Sequence, residues 1–316
     1  MSYTHYVKKQ TKRVLEMKKQ AAPFLIYIAG FCWGIIGVFS KFLSQAGLSS
    51  VQITEIRCVI AAVSLVVYLM ITDRSKVKIA LKDIWIFAGT GILSIAFFNI
   101  CYFNAITYSD LSSAAILLYT APFFVLLLSA IIFKEKLTMV KIAAVIIAFL
   151  GCALAVGIIG NSAGITAQGL IYGILSGIGY GLYSIFGRIA LKKYHTLTVT
   201  AYTFIVAAVF LVPFCKINGI VSESIKNPDI VIFSLMLGII STLVPFLCYT
   251  KGLSMMDAGT ASIIAYLEPL VATACGMVLF KEEITVIKLT GILLILISII
   301  ILNFPQKVKR KSDKSD

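Results

Sequence analysis

Runs of apolar residues long enough to cross a bilayer recur along this chain and leave little room for any other fold. A spanning helix needs about 20 apolar residues, and about ten such runs begin near Ala21, Val51, Ile84, Leu111, Met139, Gln168, Thr198, Ile230, Ala258 and Val286. The links between them are short, and only residues 160–167 and 218–228 carry turn chemistry of their own. With 59% hydrophobic and 13% charged residues, the chain is too apolar for a soluble domain. The first run is also too long for a signal-peptide core, so it reads as a retained span. The fold class expected is an all-α polytopic membrane protein with ten transmembrane helices.

A net charge of +14 does not point to nucleic acid, because the basic residues sit in tails and short loops without aromatic or motif support. They instead orient the chain, since lysine and arginine gather in cytoplasmic loops. With the N-terminus inside, 22 of the 28 fall on the cytoplasmic side, including those of the basic tails 1–20 and 305–316. Both termini are therefore expected in the cytoplasm, on a multi-pass protein of the cytoplasmic membrane. The 7 cysteines form no CxxC pair, and His5 and His195 lie in a tail and near a loop. No disulfide framework, metal site or cofactor is indicated.

Residues 110–138 recur as 257–285, at an offset of 147. That offset pairs Tyr119 with Tyr266, Phe133 with Phe280, Lys134 with Lys281, Glu135 with Glu282 and Thr138 with Thr285. It also carries Gly30 and Gly34 to Gly177 and Gly181, Trp33 to Tyr180, Lys41 to Arg188, Gly91 to Gly238 and Tyr102 to Tyr249. Five spans per copy is an odd number, so the second copy must enter the membrane from the opposite side. Residues 21–160 and 168–304 then form two inverted five-helix repeats. Such halves can exchange conformations and expose a midplane site alternately to each side, a physical pointer to transport.

Pro122 and Pro269 each fall near the middle of a span and remove a backbone donor, which would free the carbonyls of Leu118 and Ala265. Read as hinges or kinks, they would face one another across a cavity. Glu268 precedes the second proline where Ala121 precedes the first. A carboxylate at that depth costs on the order of 3 kcal/mol, so it should face the bundle interior and find a partner or a proton. Arg57 lies at comparable depth with opposite sign, and an ion pair or shared network between the two is expected. The alternatives are that Glu268 titrates as a coupling site or meets a substrate amine, and that Arg57 snorkels outward.

Trp33, Asn99, Tyr102, Asn104 and Tyr119 are candidate substrate-binding residues, with Tyr180, Tyr183, Tyr249, Tyr266 and Glu268 from the second copy. Tyrosine offers an apolar face and one hydroxyl, which suits amphipathic metabolites better than bare ions. The cavity should draw mainly on spans one, three, four, six, eight and nine. Gly169, Gly173, Gly177 and Gly181 recur every four residues and serve close helix packing. Glu135 and Glu282 read as interfacial charges or caps of the next helix, with Asp110 and Asp257 opening the proline-containing helices.

The ten-span layout resembles the EamA family of the drug/metabolite transporter superfamily, as do the doubled block Phe133 to Thr138 and Phe280 to Thr285 and the Leu-Glu-Pro-Leu at Leu267 to Leu270. The likeness covers residues 21 to 304. It implies two repeats and transport of small metabolites, with export of amino acids and exchange with protons among its members. Where that family usually has Leu-Gly-Glu, this chain has Phe-Lys-Glu. The leading expectation is a secondary transporter exporting an amino acid or similar metabolite by alternating access, with the bilayer and a small solute as partners and protons as the candidate coupling ion. An uptake carrier for a nutrient or organic cation is the alternative. An intramembrane enzyme would need a histidine cluster or metal motif, and a scaffold would leave the matched prolines without a role.

Overall fold

The computed structural model describes residues 21–109, 111–156, 166–279, 281 and 285–303. Asp110, Phe280, Glu282 and both basic tails lie outside them. Among the described residues the chain is all helical, and eight helices are long and apolar enough to cross a membrane: α1 (Ala21–Gln45), α2 (Ser50–Thr72), α3 (Leu81–Tyr108), α4 (Ser113–Phe133), α6 (Ala167–Ala190), α7 (Thr196–Phe214), α8 (Asp229–Leu253) and α9 (Ala258–Leu279). Two of the ten expected runs form shorter apolar helices, α5 (Met139–Ala155) and α10 (Val286–Leu302). A further short helix, Ile217–Lys226, lies between α7 and α8.

Polar residues at the helix starts satisfy backbone donors that an apolar surrounding would leave bare. The Ser49 side chain accepts from Gln52 N and the Gln52 side chain accepts from Ser49 N, a capping box at the head of α2. Thr166 caps α6 and Asp257 caps α9 in the same way. Thr138 and Thr285 accept from Lys141 N and Lys288 N at the starts of α5 and α10.

The two helices that carry the repeat-related prolines Pro122 and Pro269 are both broken. α4 turns at Tyr119 and Thr120, and α9 turns at Ala265 and Tyr266, each just ahead of its proline. The expectation that Ala265 would present a free carbonyl is corrected, because the chain tightens at the break and Glu268 N donates to Ala265 O at 2.9 Å. α3 and α8 each contain a π-helical stretch, Gly89–Ala96 and Ile239–Leu243.

Close packing falls at repeat-related glycines. A Cβ on Gly30 would lie 3.4 Å from Glu268 N at the break in α9, and one on Gly177 would lie 2.8 Å from Leu117 O at the break in α4. One step along, a Cβ on Gly34 would meet Glu268 O at 2.8 Å and one on Gly181 would meet Ala121 O at 3.3 Å. Thus α1 seats on α9 and α6 on α4, each half gripping the interrupted helix of the other. Two repeat-related pairs also touch one another: the rings of Trp33 and Tyr180 lie 6.3 Å apart, as do those of Tyr119 and Tyr266.

Around these contacts sits a central apolar core drawn from α1, α2, α3, α4, α6, α7, α8 and α9. A second core joins α5 and α10 to α4 and α9, with Ala148, Cys152 and Ile295 fully buried. Val63, Val67 and Ile71 on α2 and Leu127 and Ile131 on α4 point outward, as a lipid-facing surface requires.

Candidate functional site

The central core encloses a narrow cavity with about 30 Å³ of free space, room for a water or two. Its wall draws on α1, α3, α4, α6, α8 and α9. Trp33 is its centrepiece, edge-on to Phe246 at 5.2 Å and tilted against Tyr249 at 5.3 Å. Tyr180 and Tyr183 join it from α6, and Pro122 at the break in α4 completes this part of the wall.

Most of the polar atoms in this wall are already engaged. Tyr183 Oη shares a hydrogen bond with Thr250 Oγ1 at 2.5 Å, and Tyr249 Oη shares one with Ser184 Oγ at 2.7 Å. Tyr180 Oη donates to Glu268 Oε2 at 2.8 Å. Glu268 therefore stands immediately behind the cavity wall, held by a hydroxyl. Tyr102, Tyr119 and Cys152 also lie within electrostatic reach of its carboxylate.

The expected Glu268 to Arg57 ion pair does not form. Arg57 acts on the carboxylate through space, but among the described residues no acidic group lies within ion-pair distance of it, and its Nε has no hydrogen-bond partner although the residue is buried. Tyr180 instead holds Glu268 Oε2, and Arg57 sits on α2, a helix that packs mainly against α7 and α8. Nor does Arg57 snorkel outward. It is a buried cation that acts through space on a half-buried carboxylate.

The other candidates divide. Asn99 is buried outside the wall, donating to Ile95 O at 2.7 Å and accepting from Thr54 Oγ1 at 3.4 Å. Asn104 donates to Ile100 O at 2.8 Å within its own helix. Tyr266 belongs to the second core and donates to Tyr119 O at 2.6 Å, tying the two breaks together. Pro269 is buried but not in the wall, so the two prolines do not line the cavity equally.

Two kinds of residue escaped the sequence reading. Glu55 on α2 is buried with Oε2 unpartnered, and only its isolation in an apolar run could have marked it. Ser94 and Ser241 are buried with free hydroxyls, and nothing in their spacing sets them apart from other helical serines.

At the end of the bundle where α4 and α6 finish and α9 begins, polar groups of the two halves close on one another. Glu135 accepts from Ala258 N at 3.0 Å and Gly259 N at 3.3 Å and pairs with Arg188 at 2.7 Å. It caps α9 of the other half rather than the next helix. Lys141 reaches Asp257 at 2.6 Å, and Arg188 also donates to Met256 O at 2.9 Å. Burial works against the charged form of Asp257, but the bonds from Lys141 and Thr260 outweigh it and hold that carboxyl below its usual range.

Comparison with known proteins follows the same division of the chain. The description "EamA-like transporter family" matches it twice, over residues 20–157 and 167–304. An uncharacterized transporter of Archaeoglobus fulgidus is 28% identical over 273 residues, covering 85% of this chain and 94% of its own. An uncharacterized inner membrane transporter of Salmonella typhimurium, YicL, is 24% identical over 91% of this chain and 96% of its own. The pseudopaline exporter CntI of Pseudomonas aeruginosa is 23% identical over 93% of this chain and 99% of its own. A protein of known crystal structure shares the fold, with a TM-score of 0.74 over 90% of this chain and 96% of its own at 14% identity. Matched in both halves of an all-helical bundle with eight helices able to cross a membrane, the chain belongs to the EamA-like transporter family and is a membrane transporter.

Proposed function

We propose that this protein is a secondary carrier that exports a small organic solute, an amino acid or similar metabolite, across the cytoplasmic membrane by alternating access between two inverted five-helix halves. The observation that carries it is the aromatic cavity at the meeting of the interrupted helices, backed by a half-buried Glu268 and a buried Arg57 that do not pair with one another. An amphipathic solute bearing an amine and a carboxylate offers each of them an opposite charge, whereas the rings of Trp33, Tyr180 and Tyr249 supply apolar surface.

Inversion is supported by the repeat-related pairs that touch, since residues exchanged by a two-fold axis meet only near that axis. It is supported as well by the crossed glycine contacts, in which α1 grips α9 and α6 grips α4. The narrow cavity fits a closed phase of the cycle, with Glu135, Arg188, Lys141 and Asp257 shutting one end. Basic residues concentrate at that end and at the termini, so it is assigned to the cytoplasmic side. Export is favoured over uptake by CntI, a relative named as an exporter. The test is movement of labelled amino acids, amines and nucleosides into and out of proteoliposomes, with and without a proton gradient. Transport of an amino acid that fails with Glu268→Gln supports the assignment. Failure of every solute to move would overturn it.

A further inference from the structure

The two π-helical stretches coincide under the repeat. The offset of 147 carries residues 92–96, inside Gly89–Ala96 of α3, onto Ile239–Leu243 of α8. Each contains a serine at the same place, Ser94 and Ser241, and both hydroxyls are buried without a hydrogen-bond partner.

Serines in spanning helices normally bond a carbonyl of the preceding turn. In this protein Ser129, Ser176, Ser262 and Ser298 all do so, donating three residues back over 2.7 to 3.1 Å. A π turn shifts the carbonyls out of that register. Thr242, beside Ser241, shows the shift by bonding Leu237 O five residues back at 2.9 Å. The π winding thus strips Ser94 and Ser241 of the partner an ordinary helix would give them. An unfilled buried hydroxyl is destabilising, and the same cost is carried at both related positions. π turns of this kind often sit at functional sites.

Ser94 also lines the central cavity. The other hydroxyls of that wall belong to Tyr180, Tyr183, Ser184, Tyr249 and Ser262, and each is bonded within the protein. Among the described residues, Ser94 is the wall hydroxyl left free. Arg57, within electrostatic reach of the wall residue Tyr180, is a pure donor with an unfilled Nε. Ser94 can donate or accept and Arg57 can only donate, so an acceptor oxygen is the kind of group that both can serve.

We infer that Ser94 is a substrate-binding residue, donating its hydroxyl to a carboxylate or comparable acceptor oxygen of the transported solute, and that Ser241 takes over this role when the halves exchange and the π turn of α8 lines the cavity in place of that of α3. This rests on the carrier assignment above. It adds a requirement on the solute, an acceptor oxygen at the π turns, and a reason for the two π turns to match.

The experiment measures transport by the full-length protein in proteoliposomes, using labelled amino acids and the corresponding amines that lack the carboxylate. Half-saturation is read separately from each face of the membrane for wild type, Ser94→Ala and Ser241→Ala. Ser94→Ala is expected to raise half-saturation for the carboxylate-bearing solute about tenfold, mainly from one face, with the preference over the amine reduced. Ser241→Ala should do the same mainly from the other face. Thermal midpoints should be unchanged or higher in both variants, because no protein hydrogen bond is lost. Normal transport with unchanged half-saturation in Ser94→Ala would overturn the inference and leave the carrier assignment standing. A lowered thermal midpoint with unchanged preference would also overturn it, by making the serine structural. A wild type that moves none of these solutes would overturn both.

Discussion

Lys134 and Lys281 end their helices with φ of +55°, a left-handed conformation that costs a side-chain-bearing residue roughly 1–2 kcal/mol. Glycine is the usual occupant of such a position. Part of that cost would return as lost chain entropy if glycine were restored. Lys134→Gly should therefore raise stability by a net of about 0.5–1 kcal/mol, read as a higher thermal midpoint in detergent. A lower midpoint would mean the lysine side chain itself holds the turn. The Glu268 neighbourhood gives a second residue-scale prediction. Tyr180→Phe removes a hydroxyl from a half-buried carboxylate, so in a double-mutant cycle with Glu268→Gln the coupling should exceed about 1 kcal/mol. The cycle between Arg57→Gln and Glu268→Gln should show the smaller coupling of groups that do not touch. The reverse order would restore the ion pair that the structure does not contain.

At the scale of elements, the junction of α4, α6 and α9 decides whether one end of the bundle is shut. Glu135 accepts two backbone N–H groups at the positive end of α9 while paired with Arg188, so three bonds tie the two halves together at this point. Glu135→Gln should weaken the closure by about 3 kcal/mol. In a background with the native cysteines replaced, a cysteine substituted for Ser262 in the cavity wall should then react faster with a water-soluble maleimide applied from that end. An unchanged rate would show that packing, not the charged network, closes it. This junction was only partly legible beforehand. The offset exposed Glu135 and Asp257 as repeated charges, but a cap on the next helix is the local solution a sequence suggests. The cap on α9 depends on how two halves meet. The broken helices were legible because proline acts on its own backbone. The π turns were not, because one extra residue per turn leaves no mark in hydrophobic spacing.

For the whole molecule, the all-helical membrane architecture and the doubling could be read from apolar length and a single offset, since a repeat states the same packing twice. Trp33, Tyr180, Tyr183 and Tyr249 were named in sequence and stand together in the wall. Asn99 and Tyr266 stand outside it because helix rotation about the axis, which a nearly uniform apolar sequence does not fix, turns them away. The same freedom separates Arg57 from Glu268. The central claim is that the halves expose one site alternately to two sides, and counterflow tests it most directly. Proteoliposomes loaded with an excess of an unlabelled amino acid are diluted into a trace of the same labelled solute, with no ion gradient. A carrier predicts that label transiently accumulates inside above its equilibrium level and that Glu268→Gln abolishes the overshoot. Label that merely equilibrates without an overshoot, or that never enters for any amino acid, amine or nucleoside tried, would contradict the account.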